Sequence, residues 1–433
     1  MGVALADDLI RQLSGRSSSL RVRPVSAVYR YAPGGTETGV QPVQAARREG
    51  TDFVVAVQVE YSGENAVWRA RLLRAQDGEA VWEQSFRGDR SHPFALQDKL
   101  TKALQGALLG EGAGATAGPA HITLNLQAYA AYVQGRMLWN QRTSEGVYRS
   151  IDLEEQAIAE DPKFAVAYAA LADAYAFDMT DWHKAEDTAR KALAIDPRLG
   201  EAHASLGLMN MLWRGDYEGA AAEFKLAIQL RPEYAGAHEW YADNFATQNR
   251  MDEAFHEMQR ALELDSTSLP LNTDMARLFY LSHRFDQARD QSRHALELDP
   301  KFLGAHVVLH DTLIQRHEDD AAMAEFAKIE EIAGTTGLYS SVESQRVREA
   351  YAKEGIKGFF AVRAEYFGTE FKDNYLRAKY LALLGRKDDS VEALHRAMSD
   401  AGPNKLFVMY ASSEPAFDGI RDDPRFRKAV GTE

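Results

Sequence analysis

The sequence predicts a mostly α-helical protein, a right-handed solenoid of paired helices that follows a small α/β domain. One short phrase, an alanine and an aliphatic residue shortly before a proline, returns every 34 or 35 residues. Apolar and small residues recur at helical spacing between its copies, whereas strand-like alternation is confined to the first hundred residues. We predict an α/β domain over 1–109, a Gly/Ala linker over 110–122, a regular array over 123–300, and degenerate units with a C-terminal cap over 301–433.

The composition is that of an ordinary globular protein and excludes several kinds of site. Of the 433 residues, 45% are hydrophobic, 26% are charged and none is cysteine. The absence of cysteine excludes disulfides and thiolate metal sites. No apolar run reaches the roughly 18 residues that a membrane-spanning helix requires, so no membrane span is predicted in this chain.

The net charge of −14 belongs to the predicted array. Residues 1–120 hold 14 Lys and Arg against 13 Asp and Glu, which leaves 36 basic and 51 acidic residues for the remainder. Phosphate contacts require Lys and Arg, so this balance argues against direct nucleic-acid binding. It favours basic or neutral partners.

The first hundred residues predict both helices and strands. Leu5, Leu9 and Leu13 fall on one face of a helix over 3–14, and Gly15 ends that helix. Further helices are predicted over 41–49 and 93–109, and strands over 20–24, 52–60, 67–73 and 80–86. Turn residues at 62–65 and 76–78 join the last three strands, which predicts an antiparallel meander.

A stretch rich in Gly and Ala follows at 110–122. Its Gly112, Gly114 and Ala117 match the spacing of a dinucleotide-binding loop, but a predicted helix precedes them and Pro119 follows. That loop requires a strand before it and a helix directly after it. The stretch is therefore predicted to be a flexible linker, and no cofactor is predicted.

The repeated phrase defines the array that follows. Its copies begin at Ala157, Ala192, Ala227, Ala261 and Ala295. From Pro162 the closing position recurs after 35, 35, 34 and 34 residues, with Ser266 in place of proline in the fourth copy. A period near 34, with small residues where two helices meet, resembles the tetratricopeptide repeat, a helix-turn-helix unit whose stacked copies form a solenoid.

Some positions depart from the tetratricopeptide pattern. Glu154 stands where the first copy usually has a bulky apolar residue, and Asn210 stands at the last large position of the third copy. His310 takes the small position of a degenerate unit over 306–330, and the first copy has extra residues around Arg142. We expect less regular packing at these places.

Weaker helical patterns continue to the end of the chain. A helical pair is predicted over 340–363, and a repeat-like unit with Gly385 at its turn over 375–398. The tail then alternates apolar residues with Arg and Asp. A solenoid requires a terminal cap with a polar outer face, and the tail is predicted to be that cap.

Several segments outside the repeated phrase resemble one bacterial family. They are Leu5-Ala6-Asp7-Asp8-Leu9-Ile10, Val22-Arg23-Pro24-Val25-Ser26-Ala27-Val28, Phe94-Ala95-Leu96-Gln97-Asp98, residues 135–143 and Asp423-Pro424-Arg425-Phe426. Members carry a TolB-like or FlgO-like α/β domain before tetratricopeptide repeats. These parts commonly follow a CadC-like winged-helix DNA-binding domain, or a cyclase or kinase domain, often with a membrane helix between.

The resemblance implies an alternative function, the periplasmic or sensory half of a membrane-linked transcriptional regulator. Full-length relatives are often attached to the bacterial inner membrane. The sequence lacks their front part, and it lacks the apolar strand that usually precedes the Leu5 helix. We therefore expect a truncated chain.

Motifs of catalysis or metal binding are missing from the sequence. His238-Glu239, His256-Glu257 and His317-Glu318 each lack the second histidine of a helical zinc motif, and no phosphate-binding loop or nucleophile elbow occurs. No catalytic, cofactor-binding or metal-binding residue is predicted. The enzyme alternative, a hydrolase that uses groove carboxylates, would require paired acids with raised pKa in a closed pocket, and an open groove offers little desolvation.

The remaining candidate site is the groove that the first helices of tetratricopeptide units line. The spacing assigns to it Tyr132, Arg136, Trp139, Asn140, Asp173, Phe177, Leu208, Met211, Glu239, Asp243, Arg277, Tyr280 and Asp311. This mixture lacks the Lys and Asn set with which such grooves clamp a C-terminal carboxylate. We expect a non-enzymatic scaffold that binds an extended protein or peptide segment with basic and apolar side chains. Internal packing or self-association of the same residues is the alternative.

Overall fold

The computed structural model describes residues 2–14, 20–32, 37–110, 121–178, 182–334, 341–399 and 408–431. The chain forms two compact units, Met1–Met137 with Leu153–Phe164, and Leu138–Asp152 with Ala165–Glu433. The predicted fold class, a mostly helical tetratricopeptide-like solenoid after a small α/β region, is confirmed. Residues 111–120 of the predicted linker lie outside the described residues.

The first unit opens with a small α/β region. Its described elements are, in order, α1 Gly2–Leu13, α2 Val25–Tyr29, α3 Pro42–Arg48, β1 Phe53–Ser62, β2 Asn65–Arg74, β3 Ala80–Asp89 and α4 Pro93–Leu109. The strands pair antiparallel in the order β1-β2-β3, as the meander predicts. The strand predicted over 20–24 is wrong. This stretch is irregular because it pairs with no strand of the described chain, and a strand depends on a hydrogen-bonded neighbour.

One face of the sheet holds the apolar core of this unit. Trp68 of β2 lies opposite Phe86 of β3, and Leu100 of α4 packs against them. Leu5 and Leu9 of α1 also contact this core, in agreement with the predicted helix face. The helical and strand periodicities of the sequence thus meet at one buried surface.

A buried carboxylate, Asp8, ties α1 to the rest of this unit. Its oxygens accept from Arg11 at 2.9 Å, Gln12 at 2.8 Å and Gln97 at 2.6 Å, and they lie 2.9 Å from His121 Nδ1. Burial disfavours the charged form, but the bonds to His121 and Arg11 outweigh burial and lower the pKa of Asp8. Asp8 is therefore a satisfied structural anion.

Helices arranged in successive pairs make up the rest of the chain. They are α5 Leu126–Trp139, α6 Ser144–Glu160, α7 Ala165–Asp178, α8 Trp182–Ile195, α9 Gly200–Met209, α10 Tyr217–Leu230, α11 Ala235–Thr247, α12 Met251–Leu264, α13 Leu269–Leu281, α14 Phe285–Leu298, α15 Leu303–Gln315, α16 Asp319–Ala333, α17 Ser341–Glu354, α18 Ile356–Thr369, α19 Asn374–Leu383 and α20 Lys387–Ser399. A 3-10 helix, Pro415–Ile420, and α21, Pro424–Val430, complete the described chain.

Small residues form the seams between the helices. The alanine of every copy of the phrase is completely buried, as Ala192, Ala227, Ala261 and Ala295 show in the second unit. At Gly207 a Cβ atom would lie 2.6 Å from the Phe224 ring, so only glycine fits there. The small positions of the tetratricopeptide pattern thus mark close helix contacts, as predicted.

The aspartate before the closing position has a local structural role. Asp196, Asp265 and Asp299 each accept a hydrogen bond from the backbone N–H two residues later, at 2.9, 3.2 and 2.9 Å respectively. This side-chain turn ends one helix and directs the chain into the next pair. The recurrence of Asp with Pro or Ser therefore follows from turn chemistry.

Histidines on the first helices of the pairs contact glutamates on the second helices. His203 contacts Glu223, and His238 contacts Glu257, each at 2.7 Å. Each of these contacts joins the first helix of a pair to the second. The interpretation of these histidines as packing residues agrees with their buried contacts.

At the irregular positions the local structure differs from the regular repeat. Residues Asn210–Arg214 form a π-helical turn that continues α9, and Gly215 ends it with a φ of +64°. His310 fills the small position by packing on Phe326 and Phe359, and its Nδ1 lies 2.9 Å from the Ala322 carbonyl. The two helices of this degenerate unit, α15 and α16, therefore still pack against each other.

The last turn of the chain packs on the last helical pair. Phe417 is fully buried, with its ring 5.9 Å from Tyr375 and 5.7 Å from Phe426. Ile420 belongs to the same apolar core. Within the described ranges, no helix combines the length and the apolar character needed to cross a bilayer.

Candidate binding site on the first helices of the second unit

The loop between α5 and α6 supplies the first element of the candidate site. Arg142 adopts a φ of +54°, in the left-handed region that few side chains occupy. Its guanidinium lies 3.8 Å from the ring centre of Trp139 and 4.5 Å from that of Phe177, and it donates to Glu239 at 2.7 Å. The extra residues of the first copy therefore place a cation between two aromatic rings and a buried carboxylate.

Two helices contribute the remaining charges. Glu239 and Asp243 lie one turn apart on α11, and Asp274 and Arg277 form an ion pair of 2.8 Å on α13. We call Arg142, Glu239, Asp243, Asp274 and Arg277 the charged cluster. Three carboxyl groups here face two guanidinium groups, so the cluster holds one more acid than it can pair as ions.

Two carboxyl groups of the charged cluster, those of Glu239 and Asp243, have raised pKa values. Burial raises the pKa of Glu239 to about 8, and Asp274 and Asp243 add to this effect while Arg142 opposes it. Burial and Asp274 raise the pKa of Asp243 to about 7, against a hydrogen bond from Tyr410 and the charge of Arg277. Desolvation disfavours the charged form of an acid, and neighbouring anions act in the same direction.

A segment near the C-terminus lies against the same helices. We call residues 408–414 the tail segment. Its Tyr410 hydroxyl donates to Asp243, and its Glu414 carboxylate accepts from the Tyr280 hydroxyl at 2.5 Å. Lys379 of α19 lies 3.4 Å from Glu414. Tyr410 and Glu414 are only 4% and 5% exposed, so both polar groups are buried with their partners.

Further contacts hold the C-terminal end of the tail segment and its partner Lys379. Lys379 also forms an ion pair of 2.9 Å with Asp311 of α15. Burial opposes the charge on Lys379, but Asp311 and Glu414 outweigh burial and raise the pKa of Lys379. Ser413 donates to Asn249 at 3.2 Å. The tail segment is therefore held by side chains from three first helices and one turn.

The structure brings together about half of the predicted groove residues. Those that join the charged cluster or contact the tail segment and its partners are Trp139, Phe177, Glu239, Asp243, Arg277, Tyr280 and Asp311. This arrangement links positions up to about 170 residues apart in sequence. These seven residues lie near one another, and their role in binding a partner stays a prediction.

The other predicted residues lie elsewhere. Asp173 is buried and accepts from Ser205 at 2.5 Å, while Leu208 and Met211 are buried in helix packing. Asn140 is exposed. Tyr132 packs on Tyr129 and Phe164 within the first unit, which also contains the half-buried Arg136.

Several residues of the site were not predicted from the sequence. They are Arg142, Trp240, Asp274, Lys379, Tyr410 and Glu414. Arg142 stood out only as part of an irregular loop, and Tyr410 and Glu414 only as part of a predicted cap. Arg142, Tyr410 and Glu414 lie outside the repeat, so groove spacing could not select them. Trp240, Asp274 and Lys379 lie on first helices, at positions other than those that the spacing selects.

The burial of the carboxylates differs from the expected open groove. Glu239, which accepts from Arg142, is buried, and Asp243, beside Tyr410 of the tail segment, is half-buried. In the described part of the chain, no group of three or more His, Asp or Glu side chains is placed to hold a metal ion. The charged and hydroxyl groups present here can form ion pairs and hydrogen bonds with polypeptide groups.

Comparison with known proteins relates the chain to tetratricopeptide structures only distantly. Neither a protein-family model nor a curated protein matches the chain. TTC0263, a thermophilic TPR protein of Thermus thermophilus, is 23% identical over 43% of this chain and 99% of its own, with a TM-score of 0.37. YrrB, a TPR protein with an unusual peptide-binding site, is 19% identical over 42% of this chain and 93% of its own, with a TM-score of 0.30. Yeast Tom70 is 15% identical over 74% of this chain and 69% of its own, with a TM-score of 0.39.

Proposed function

We propose that this chain is a non-enzymatic scaffold that holds a polypeptide segment against the first helices of its second unit. The observation that supports this proposal is the tail segment, which those helices hold through the Tyr410 hydroxyl and the Glu414 carboxylate. Both groups are buried and bonded, as in specific polypeptide recognition. A paired-helix array offers such a pre-formed surface without catalytic residues.

The proposal assigns binding rather than catalysis to the charged cluster. A hydrolase would require acids with raised pKa, and Glu239 and Asp243 meet that requirement. Each carboxylate already accepts from a side chain of the same chain, however: Glu239 from Arg142 and Asp243 from Tyr410. Groups that are fully engaged within the chain favour a structural or binding role.

The chemistry of the bound segment differs from the basic, apolar segment that the acidic excess predicts. The tail segment presents a phenol and a carboxylate, and Lys379 supplies the opposite charge. The face therefore offers acceptors at Asp243 and donors at Tyr280 and Lys379. A basic, apolar partner stays a prediction from composition, while an acidic, aromatic partner is supported by these contacts.

The test is site-specific cross-linking in the source cell. A photoreactive phenylalanine analogue replaces Asn140 or Phe177, two predicted groove positions outside the tail contacts. The control position is Leu226 of the second helix α10, which is 37% exposed. We expect a covalent adduct with another protein from Asn140 or Phe177, and none from Leu226. Equal adducts from all three positions, or none from either groove position, would contradict the scaffold.

The regulator alternative stays a prediction from resemblance. It assigns the same scaffold to the sensory half of a membrane-linked transcription factor. The reading frame upstream of Met1 and the intact mass of the native protein test it. A winged helix and an apolar span in that frame, with a mass well above 48.2 kDa, would support it. A native mass of that value would contradict it.

A further inference from the structure

We propose that two copies of this chain associate through β1, which pairs antiparallel with β1 of a second copy across a two-fold axis at Val57. The three strands of each chain then form one continuous sheet. This inference goes beyond the proposed scaffold function and concerns a different surface from the groove. It is carried by the outer side of β1, by an apolar row along that strand and by a register in which the row faces itself.

The outer side of β1 has no neighbouring strand in the described part of the chain, where β1 pairs with β2 alone. The carbonyl of Asp52, just before β1, accepts from the Ala75 N–H at 2.8 Å, in register with the β1–β2 pair. Backbone bonding alternates along an antiparallel strand, so the even-numbered residues that follow Asp52 bond to β2. Val55, Val57 and Val59 therefore direct their N–H and C=O groups toward the outer side.

The side chains of the same alternate residues form an apolar row on one face of β1. The row consists of Phe53, Val55, Val57, Val59 and Tyr61. Val55 and Val59 contact the core of the unit, whereas Phe53, Val57 and Tyr61 are 42%, 38% and 52% exposed. Edge strands of monomeric proteins are usually short or carry charges, because a long apolar edge invites another strand. The ten-residue β1 is such an edge.

The opposite edge of the same sheet is protected. Glu83 and Arg87 place charges along β3, and Lys99 of α4 lies with its Nζ 3.5 Å from the Arg87 carbonyl. Leu96 of α4 covers the end of the strand, because a Cβ atom at Gly88 would lie 2.9 Å from it. Charge, lysine and a covering helix are the usual means of blocking strand addition. The difference between the two edges indicates that β1 is the one that associates.

The apolar row is complementary to itself in one antiparallel register. When Val57 lies opposite Val57 of a second copy, Val55 lies opposite Val59 and Phe53 lies opposite Tyr61 on both sides of the axis. All five residues then pair within the row, and their outward N–H and C=O groups meet. Directly opposed apolar and aromatic side chains stabilise such a pair of strands.

The charges on β1 agree with this register. Its single charged residue, Glu60, lies opposite Val54 of the second copy, and Gln58 lies opposite Ala56. Glu60 also forms an ion pair of 2.9 Å with Arg69 of the same chain. Like charges directly opposite each other would weaken the pairing, and this register contains none between the two strands.

Sedimentation velocity of the full chain measures the association. The unsubstituted chain should pass from a mass of 48.2 kDa toward twice that mass as its concentration rises. Val57→Lys brings two ammonium groups together at the axis and should raise the dimer dissociation constant at least tenfold. Val81→Lys on β3 is the matched control, since Val81 is 40% exposed, and it should associate like the unsubstituted chain.

Single substitutions to cysteine test the register without background, because the chain contains no cysteine. Val57→Cys should give a disulfide-linked dimer under mild oxidation, since hydrogen-bonded opposite residues have Cα atoms about 5.5 Å apart, within disulfide range. Val55→Cys and Val59→Cys should each link poorly alone and efficiently when the two chains are mixed. Val81→Cys should stay unlinked.

Circular dichroism and thermal midpoints establish that each variant is folded, and the linkage pattern decides the matter if Val57→Lys unfolds. A chain that stays monomeric at every concentration would overturn the proposal. So would a folded Val57→Lys chain that associates unchanged, or equal linkage at positions 57 and 81. A monomeric chain whose position 57 links to a different protein in the source cell would also overturn it, and would assign the edge to a strand of another polypeptide.

Discussion

The seams between helices and the charged cluster are built in opposite ways. The seams repeat: Ala192, Ala227, Ala261 and Ala295 occupy equivalent positions and are completely buried. The charged cluster occurs once, combines a loop arginine with residues of two first helices, and is contacted by the tail segment. Its Glu239 is buried and its other members are half-buried. Periodic apolar contacts specify the fold, whereas a single cluster of charges withdrawn from water reduces stability and points to function.

The largest expected effect concerns a seam. Phe224→Ala removes a fully buried ring that packs against Gly207, and it should reduce the free energy of unfolding by about 3–5 kcal/mol. Denaturant unfolding measures this change. Leu226→Ala on the same helix, at a partly exposed position, is the control and should lose less than about 1 kcal/mol. Equal losses would show that the seams do not dominate stability.

A smaller effect is expected when the charged cluster loses a cation. Measured at pH 9, where Glu239 is ionised, Arg142→Ala leaves this carboxylate buried without its partner and should cost about 3 kcal/mol of unfolding free energy. Adding Glu239→Gln should recover part of that loss, because a neutral amide is easier to bury than an unpaired carboxylate. If the losses of the two single variants simply add in the double variant, the contact between these side chains contributes nothing.

The pH dependence of stability should distinguish the cluster from the seams. The folded chain retains the Glu239 proton up to a pKa of about 8, whereas the unfolded chain releases it near 4.5. The unfolded state therefore binds fewer protons between these values, so this group makes stability fall as pH rises. Glu239→Gln should flatten the decline between pH 5 and pH 8.

Thermal midpoints across that pH range measure the effect. Glu145→Gln is the matched control, since the Glu145 side chain is 81% exposed, and it should follow the unsubstituted chain. The account requires Glu239→Gln to gain stability relative to the unsubstituted chain as pH rises. Parallel profiles would contradict the pKa assigned to Glu239.

The same contrast explains how much could be predicted from the sequence. Repeat spacing located the helix pairs, and alternating apolar residues located β1 to β3, because both patterns reflect one periodic contact each. The strand over 20–24 failed because a strand depends on a neighbour that local sequence does not reveal. Groove spacing selected Glu239, Asp243 and Tyr280 because they follow the repeat, and their role in binding stays a prediction.

The parts of the site that could not be predicted are the ones that break the period. Arg142 reaches Glu239 from an irregular loop, and Tyr410 reaches Asp243 across more than 160 positions. Such contacts depend on tertiary closure. The pKa values of Glu239 and Asp243 depend on the same packing of distant parts of the chain. The sequence therefore predicted an open groove at a place where Glu239 is buried and Asp243 is half-buried.

One measurement tests most directly whether the charged cluster serves binding rather than stability. Asp243→Asn leaves two carboxyl groups facing two guanidinium groups, and it weakens the acceptor of the Tyr410 hydroxyl. It is introduced into the chain that carries the photoreactive phenylalanine analogue at Asn140, and the unfolding free energy and the yield of covalent adduct with another protein are measured at pH 8. We predict higher stability and a lower yield of adduct than without the substitution. Lower stability with an unchanged yield would show that the cluster only supports the fold.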